Sequence, residues 1–491
     1  MQYKHVSVER STMNISAKKI LLPHLELTEV ATADDHEATA VMVPSLTNNP
    51  VCETYYIKAK SGTYENKAAR FNYFPVVLGS NGAPWAEAVV YILSRLDSVS
   101  VPTMSTYTGI ADDLAAFRRF LDETGIDWMH FPSQKMFRPT YRFNGYLKIA
   151  VQSGKVAAGT AQRRMGTVIR FYRWLISEKV LAPEHPPWKE SDRYIDFRDS
   201  HGFERTKQIV TTDVSLKTPK QHDPYDGAID DGGKLRPLPL TEQEWVMDAL
   251  ITLGNTEMTL IHLFGFLTGA RIQTILTFRV RHVDVKLDGD QQGFIRVPVG
   301  LGTGIDTKNG KRQVLHIPVY FYKMLYVYSQ SGRAVKRRQK ANGGDHKDQY
   351  LFLSAKGTPL YQSKEETSFF NPINNLRHIK TGQAVRQFIT EYVIPFVRSK
   401  YATKDFHYQF HDTRATAGMN WTDHQLKLVE QGLTTLHEAR EFVKVRMGHQ
   451  SALTTDRYLQ YRMNLKLVRW AGIEYECHLQ KISKQALAGT E

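Results

Sequence analysis

The chain has 491 residues, a length that two or three ordinary cores fill more readily than one. Hydrophobic residues make up 42% and aromatics 11%, enough to exclude a disordered chain, and 64 basic against 50 acidic residues leave a net charge of +14. Such an excess points to a polyanionic partner, nucleic acid above all.

Cys52 and Cys477 are the only cysteines, so a disulfide framework or a cysteine metal centre is not expected. No run approaches the ~18 apolar residues of a membrane span, and the first twenty residues lack the apolar core of a secretory leader. A reducing, cytoplasmic setting is expected.

Residues 1–83 form an N-terminal extension in which TYYIKAKSG and FNYFPVVLGSNG predict short strands bounded by Gly and Asn. No chemistry is assigned to it. From 84 to 182 the pattern is helical. In TGIADDLAAFRRFLDETG, Ile110, Leu114, Phe117 and Leu121 recur at helical spacing, and Gly125 is placed to end the helix. In AQRRMGTVIRFYRWLISEK, Met165, Val168, Ile169, Tyr172, Leu175 and Ile176 share one arc. Arg163, Arg170 and Arg173 share another, as candidate DNA-phosphate contacts or as a solvated basic face.

Residues 183–238 read as a linker, opened by APEHPPWKESD and closed by HDPYDGAIDDGGKLRPLPL. A second unit, 239–491, begins with TEQE, a predicted capping box of Thr241 and Glu244. Helical patterns follow in WVMDALITLG and MTLIHLFGFLTG. Strands are predicted at 293–299 and 312–319, with Asn309–Gly310 as a turn signal before the second. One long amphipathic helix, VYFYKMLYVYSQSGRAVKRRQK, comes next, and further helices fill 366–398 and the stretch from 411 to the end.

Four pieces of this second unit carry candidate chemistry. LTGARIQTILTF sets Arg271 just after a helix-ending Gly269. DTKNGKRQVLHIP puts Lys308 before the Asn–Gly turn, projecting from a hairpin tip. FHDTRATAG holds His411 and Arg414 three apart on one helix face, with Ala415, Ala417 and Gly418 small enough for a close neighbour. GHQSALTTDRYLQY holds His449 and, nine residues on, Tyr458. Tyr461 is a rival hydroxyl on nearly the same face.

Taken in order, A270–R271, Lys308, H411-x-x-R414, G448–H449 and Tyr458 resemble the motif set of the tyrosine recombinases, the phage-type integrases. The resemblance covers about 240–470, and more loosely 84–182 as a core-binding domain. It implies a mainly α fold with a small β-sheet: a helical DNA-binding domain and a mixed α/β catalytic domain. It also implies a site-specific recombinase of a mobile element that cuts and rejoins DNA strands through a 3′-phosphotyrosyl link.

In that chemistry Arg271 and Arg414 hold the non-bridging oxygens of a five-coordinate phosphorus with forked, permanently charged hydrogen bonds. Lys308 protonates the leaving 5′ oxygen, His411 and His449 donate hydrogen bonds or move protons, and Tyr458, which alone has the family's spacing from His449, attacks. No cofactor and no metal is called for. The implied partner is double-stranded DNA, bound by a homo-oligomer (a dimer per site, a tetramer in synapsis), with accessory proteins allowed, no membrane, and a bacterial, nucleoid-associated location.

The chain departs from the pattern in three places. Thr274 stands where the family carries an acid, Met447 replaces the usual Leu, and the segment 415–446 is longer than typical. The apolar residues Leu465, Leu467, Val468 and Trp470 of the tail suit docking on a neighbouring protomer or on their own domain. Alternative readings are a type IB topoisomerase, which rejoins the same strand, and a DNA-binding protein with a decayed site. A metal nuclease built on His407 and His411 lacks an H-E-x-x-H glutamate.

Overall fold

The computed structural model describes residues 16–44, 52–60, 70–97, 99, 102–198, 203–217, 227–286, 293–368, 378–463, 477 and 480–481. The chain divides into two compact units, Met1–Lys220 with Lys364–Ile379, and Gln221–Ser363 with Lys380–Glu491.

The first unit opens with strands. β1 (Lys18–Glu26) pairs antiparallel with β5 (Arg70–Leu78), Lys18 opposite Leu78. β2 (Thr28–Ala31), β3 (Thr39–Pro44) and β4 (Cys52–Ala59) make a separate antiparallel sheet with β4 in the middle. Four helices follow: α1 (Ala86–Asp97), α2 (Met104–Thr124), α3 (Pro139–Gln152) and α4 (Ala158–Ser177).

Their spacing explains the core. Leu114, Phe117 and Leu121 of α2 face Met165, Val168, Phe171, Tyr172 and Leu175 of α4 within one buried cluster, and Trp85 sets its ring edge-on to Phe171 at 5.2 Å. Gly125 closes α2 in the left-handed conformation, φ 64, returning its N–H to Leu121 O.

Beyond α4 the segment expected as a linker carries structure. β6 (Glu190–Arg198) and β7 (Glu204–Thr212) form an antiparallel ribbon, Glu190 opposite Thr212. Its charged, alternating sequence has the period of a strand rather than the breakers of a linker, which the Pro-rich flanks obscured. α10 (Lys364–Ser368) also belongs to the first unit, where Thr367 O accepts from Asn72 Nδ2 at 3.3 Å.

The second unit starts with a two-stranded turn, β8 (Ile229–Asp230) and β9 (Lys234–Leu235). α5 (Leu240–Leu253), α6 (Thr256–Thr268) and α7 (Ile272–Leu276) come next. The predicted Thr241 cap is absent. Pro239, fixed at φ −56 and ψ 158, takes the N-cap position and draws Thr241 inside the first turn.

β10 (Phe294–Val299) and β11 (Gln313–Pro318) pair antiparallel, as expected. The long helix predicted after them is two: α8 (Val319–Gln330) and α9 (Gly332–Lys340). Ser331, extended at ψ 144, ends the first and caps the second by accepting from Ala334 N–H.

α11 (Gln383–Phe388) runs through a π-turn at Ile389–Val393 into α12 (Ile394–Lys400). α13 (Asp412–Glu430) and α14 (Leu436–Met447) follow, and 452–463 are helical. The unit's core is apolar and aromatic, with Phe264 packing edge-on to Phe278 at 4.8 Å and to Phe321 at 5.5 Å.

The fold is therefore mainly helical with small antiparallel sheets, as the sequence led us to expect. Among the described residues no helix is long and apolar enough to cross a membrane. Leu465, Leu467, Val468 and Trp470 lie outside the described residues.

Candidate active site

The site is assembled where three helix ends meet in the second unit. α6 stops at Gly269, left-handed at φ 62, and the chain turns so that Arg271 becomes the N-cap of α7. α14 stops at Gly448 in the same way, φ 64. The left-handed φ favours glycine at the turn that presents His449, and a Cβ there would also have to displace Gln313 Oε1, 2.1 Å away.

α13 runs alongside both helices, with His411 at its N-terminus and Arg414 in its first turn. Close approach depends on two glycines. A Cβ at Gly265 would meet Thr413 Oγ1 at 2.5 Å, and one at Gly418 would meet Tyr458 Cε1 at 2.5 Å. The small residues of α13 thus admit the aromatic ring that follows Gly-His.

Arg414 is almost wholly buried and ties the helix ends together. Its Nη1 donates to Gly269 O at 2.7 Å and its Nη2 to Met447 O at 2.8 Å. Both carbonyls sit at helix C-termini, where unpaired acceptors and the helix dipole favour a cation.

The remaining donor, Nε, reaches Asp231 Oδ2 at 2.8 Å. His449 Nε2 meets the same oxygen at 3.2 Å, and the Tyr458 hydroxyl donates to it at 3.1 Å. Arg271 Nη2 lies 3.5 Å from the other oxygen, Oδ1. Three of the sequence-predicted site residues and the predicted nucleophile therefore converge on one carboxylate.

The others surround it. Lys308 begins the turn Lys308–Gly310, whose Asn309 and Gly310 are both left-handed (φ 60 and 67), as an Asn–Gly turn requires. A Cβ at Gly232, next to Asp231, would lie 2.9 Å from Lys308 Nζ and 3.9 Å from Arg271 Nη2. Lys311, a second lysine of the same connection, donates through Nζ to Gly448 O. His411 is partly buried and feels the charges of Arg271, Arg414, Asp231 and Lys308.

The electrostatics follow from burial among cations. Burial opposes ionisation of Asp231, yet the His449 hydrogen bond and the charges of Arg414, His449 and Arg271 hold its carboxyl far below the usual range. Burial and the two arginines push His411 down to about 4. Burial also lowers His449, against the pull of Asp231.

His449 Nε2 faces the Asp231 carboxylate and donates to it, while Nδ1 pairs with Thr455 Oγ1 at 2.9 Å. Burial lowers Arg271 to about 10, still charged at neutral pH. Tyr458 is 0% exposed, and its phenol is raised well above 10 by burial and by the Asp231 charge.

Tyr461 sends its hydroxyl instead to Gly227 O at 3.4 Å. Among the described residues no cluster of His, Cys, Asp and Glu has the arrangement of a metal site. In the first unit, exposed Arg163 pairs with Asp113 at 2.8 Å, Arg170 donates to Thr167 Oγ1 at 3.1 Å, and Arg173 pairs with Glu190 at 2.8 Å. Each candidate DNA contact thus has an intramolecular partner.

Sequence reasoning missed Asp231 and Lys311. Asp231 lies in IDDGGKL, inside the stretch read as a linker. Its Gly-Gly between short apolar-charged pairs is a hairpin signal, and that signal was available. Thr274, at the family's acidic position, is buried in α7.

No family model and no curated protein matches the chain. Among solved structures it is similar to the XerH site-specific recombinase bound to palindromic difH substrate in a post-cleavage complex. That similarity has a TM-score of 0.43 and 12% identity, over 79% of this chain and 89% of that one. It is also similar to a lambda integrase dimer bound to a COC′ core site (TM-score 0.41, 12% identity, 76% and 94% covered). A third is the Tn1549 transposon integrase in complex with a circular intermediate DNA (TM-score 0.39, 13% identity, 76% and 94% covered). Likenesses this distant leave the chemistry to be read from the chain's own residues.

Proposed function

We propose that the protein is a tyrosine site-specific DNA recombinase or integrase that breaks and rejoins strands through a phosphotyrosyl intermediate. One observation carries the reading: Arg271, Arg414, His449 and the Tyr458 hydroxyl, from four separated segments, meet on a single anionic group. A seat that gathers two guanidiniums and an imidazole N–H beside a phenol suits an oxyanion undergoing attack by that phenol.

With a DNA phosphodiester in that seat, the arginines neutralise the charge that builds on the non-bridging oxygens and the His449 N–H hydrogen-bonds to it. The Tyr458 oxygen bonds to phosphorus as the bond from phosphorus to the 5′ oxygen breaks. The phenol gives up its proton to solvent water, and the departing 5′ oxygen takes one from Lys308, whose Nζ lies beside the seat. His411, held neutral by burial and the surrounding cations, serves as a hydrogen-bond partner rather than as an imidazolium.

The ester preserves the energy of the broken bond, so a 5′ hydroxyl of another duplex reverses the step without a nucleotide cofactor. Lys311 competes with Lys308 for the acid role, but its Nζ is engaged by the Gly448 carbonyl. The net charge of +14 supports a DNA partner. Strand exchange between sites calls for a homo-oligomer on that DNA.

The test is covalent trapping on a pool of nicked duplexes of randomised sequence, in which loss of a short 5′-hydroxyl fragment prevents religation. Wild-type protein should form a denaturation-resistant adduct in EDTA. Tyr458→Phe should form none while still binding the pool, whereas Tyr461→Phe should retain the adduct. Adduct persisting in Tyr458→Phe rejects the assignment.

A further inference from the structure

The turn 227–235 reaches into the seat that the proposed reaction requires for DNA. Asp231 Oδ2 takes the Arg414 Nε–H, the His449 Nε2–H and the Tyr458 O–H, and Oδ1 faces Arg271. The Arg414, His449 and Arg271 donors are the ones a scissile phosphate would use, and Tyr458 is the group that would attack it. With the carboxylate at 2.8 Å from Arg414, a phosphate oxygen has no place at the same donor, and two anions so close repel strongly away from water.

The shape of the turn fits insertion. Gly232 and Gly233 have φ of 77 and 159, and the Asp231 N–H returns to Gly233 O at 3.1 Å, which makes a narrow tip. A side chain at Gly232 would press on Lys308 Nζ at 2.9 Å. A bare glycine in the left-handed conformation thus lets the tip enter between the lysine and the arginines without displacing the lysine head.

The turn is also held by contacts that can be undone. Ile229, 1% exposed, packs in a small apolar cluster with Met419, Val443, Met447 and Tyr458 itself. Arg457 Nη1 donates to Asp230 O, and Tyr461 donates to Gly227 O. Downstream the chain is fixed on α13: Arg236 N–H donates to Asp412 Oδ1 at 2.9 Å, and Leu238 N–H to Thr416 Oγ1 at 3.0 Å. The two glycines lie between this anchor and the inserted carboxylate.

We propose that residues 227–235 are a built-in pseudosubstrate strap, in which Asp231 stands in for the scissile phosphate and keeps Tyr458 covered until incoming DNA displaces it. A carboxylate that merely braced the arginines, in the place left by Thr274, would lie behind them. Asp231 instead touches the hydroxyl that must attack. Displacement costs DNA part of its binding free energy, so the strap lowers the apparent affinity and the adduct rate by the fraction of time it is open.

The inference rests on the recombinase reading, and the same adduct assay separates their failures. Wild type, Tyr458→Phe, Asp231→Asn and Ile229→Ala are compared on the randomised nicked duplexes, with thermal melting of each. Ile229→Ala loosens the strap without touching a charged group. The expected result is an adduct rate about tenfold above wild type in both strap variants, as for a seat otherwise open about a tenth of the time.

A folded Asp231→Asn that forms adduct more slowly than wild type overturns the inference, since the carboxylate would then be supporting catalysis. If Asp231→Asn melts early, Ile229→Ala decides: a faster rate supports the strap and an unchanged rate overturns it. Absence of any Tyr458-dependent adduct in wild type and variants alike overturns the recombinase reading itself.

Discussion

Replacing Arg414 by lysine keeps the charge and removes the fork. In the native site the guanidinium spends its three kinds of donor on three directions: Gly269 O at the end of α6, Met447 O at the end of α14, and Asp231. A single ammonium on a flexible stem can satisfy one of these. Two buried charge-assisted hydrogen bonds are lost, each worth about 1.5–3 kcal/mol, so the second unit should lose about 3–6 kcal/mol.

The chemistry should suffer separately, because the donor aimed at the oxyanion moves. Loss of one such donor slows reaction by about two to three orders of magnitude. Urea unfolding resolved peptide by peptide through hydrogen exchange reads the second unit separately from the first, as a chain of two units requires. Early loss of protection at the C-terminal turns of α6 and α14 is the expected signature. A variant within about 1 kcal/mol of wild type in those peptides refutes Arg414 as the tie between the helix ends.

Gly418→Ala pits helix propensity against packing. Alanine gains up to about 1 kcal/mol in a helix interior, but its Cβ would sit 2.5 Å from Tyr458 Cε1 and 3.1 Å from Met447 Cε, and overpacking costs about 1–3 kcal/mol. A net loss on the order of 1 kcal/mol with a slower adduct rate is expected, and a more stable variant with an unchanged rate would show that the ring does not lie on that face. A pH effect should accompany these. His262, buried with Nδ1 on Met258 O and Nε2 on the Tyr408 hydroxyl, is pushed down to about 4 by burial, as is His411 by burial and the arginines. Both are neutral when folded and protonate more readily when unfolded, so their contribution is full above about 6.5 and is lost as pH falls towards 4. Urea midpoints near pH 5 should report uptake of about two protons on unfolding from these histidines, and a midpoint flat between pH 7 and pH 4.5 would contradict it.

Much of the site was legible because its signals are local. Gly269 and Gly448 stop helices through their own backbone freedom, and the residues presented there, Arg271 and His449, follow at short range. The three-residue step from His411 to Arg414 and the small face of α13 needed only helical geometry. The Asn309–Gly310 turn was equally local, although the connection carrying it, 300–312, is longer than a tight hairpin and brings Lys311 as well as Lys308 towards the helix ends.

One pattern shows where local reading stops. Two of the S/T-x-x-E matches are Thr241–Glu244 and Thr435–Glu438. At the second it is a true capping box, with Glu438 Oε2 accepting from Thr435 N–H at 2.8 Å. At the first, a proline two residues earlier has already begun the helix, so the hydroxyl is out of place.

Asp231 lay beyond any such rule, since nothing in IDDGGKL marks one of two adjacent aspartates as the partner of residues 40, 183, 218 and 227 positions away. Arg271, Arg414 and His449 could be picked out from local sequence alone, because each sits at or within one turn of a helix terminus. What gathers them becomes visible once the chain is folded. A buried cluster of cations must meet a counter-charge, and folding delivers the one carboxylate whose glycine-flanked turn is slim enough to reach it.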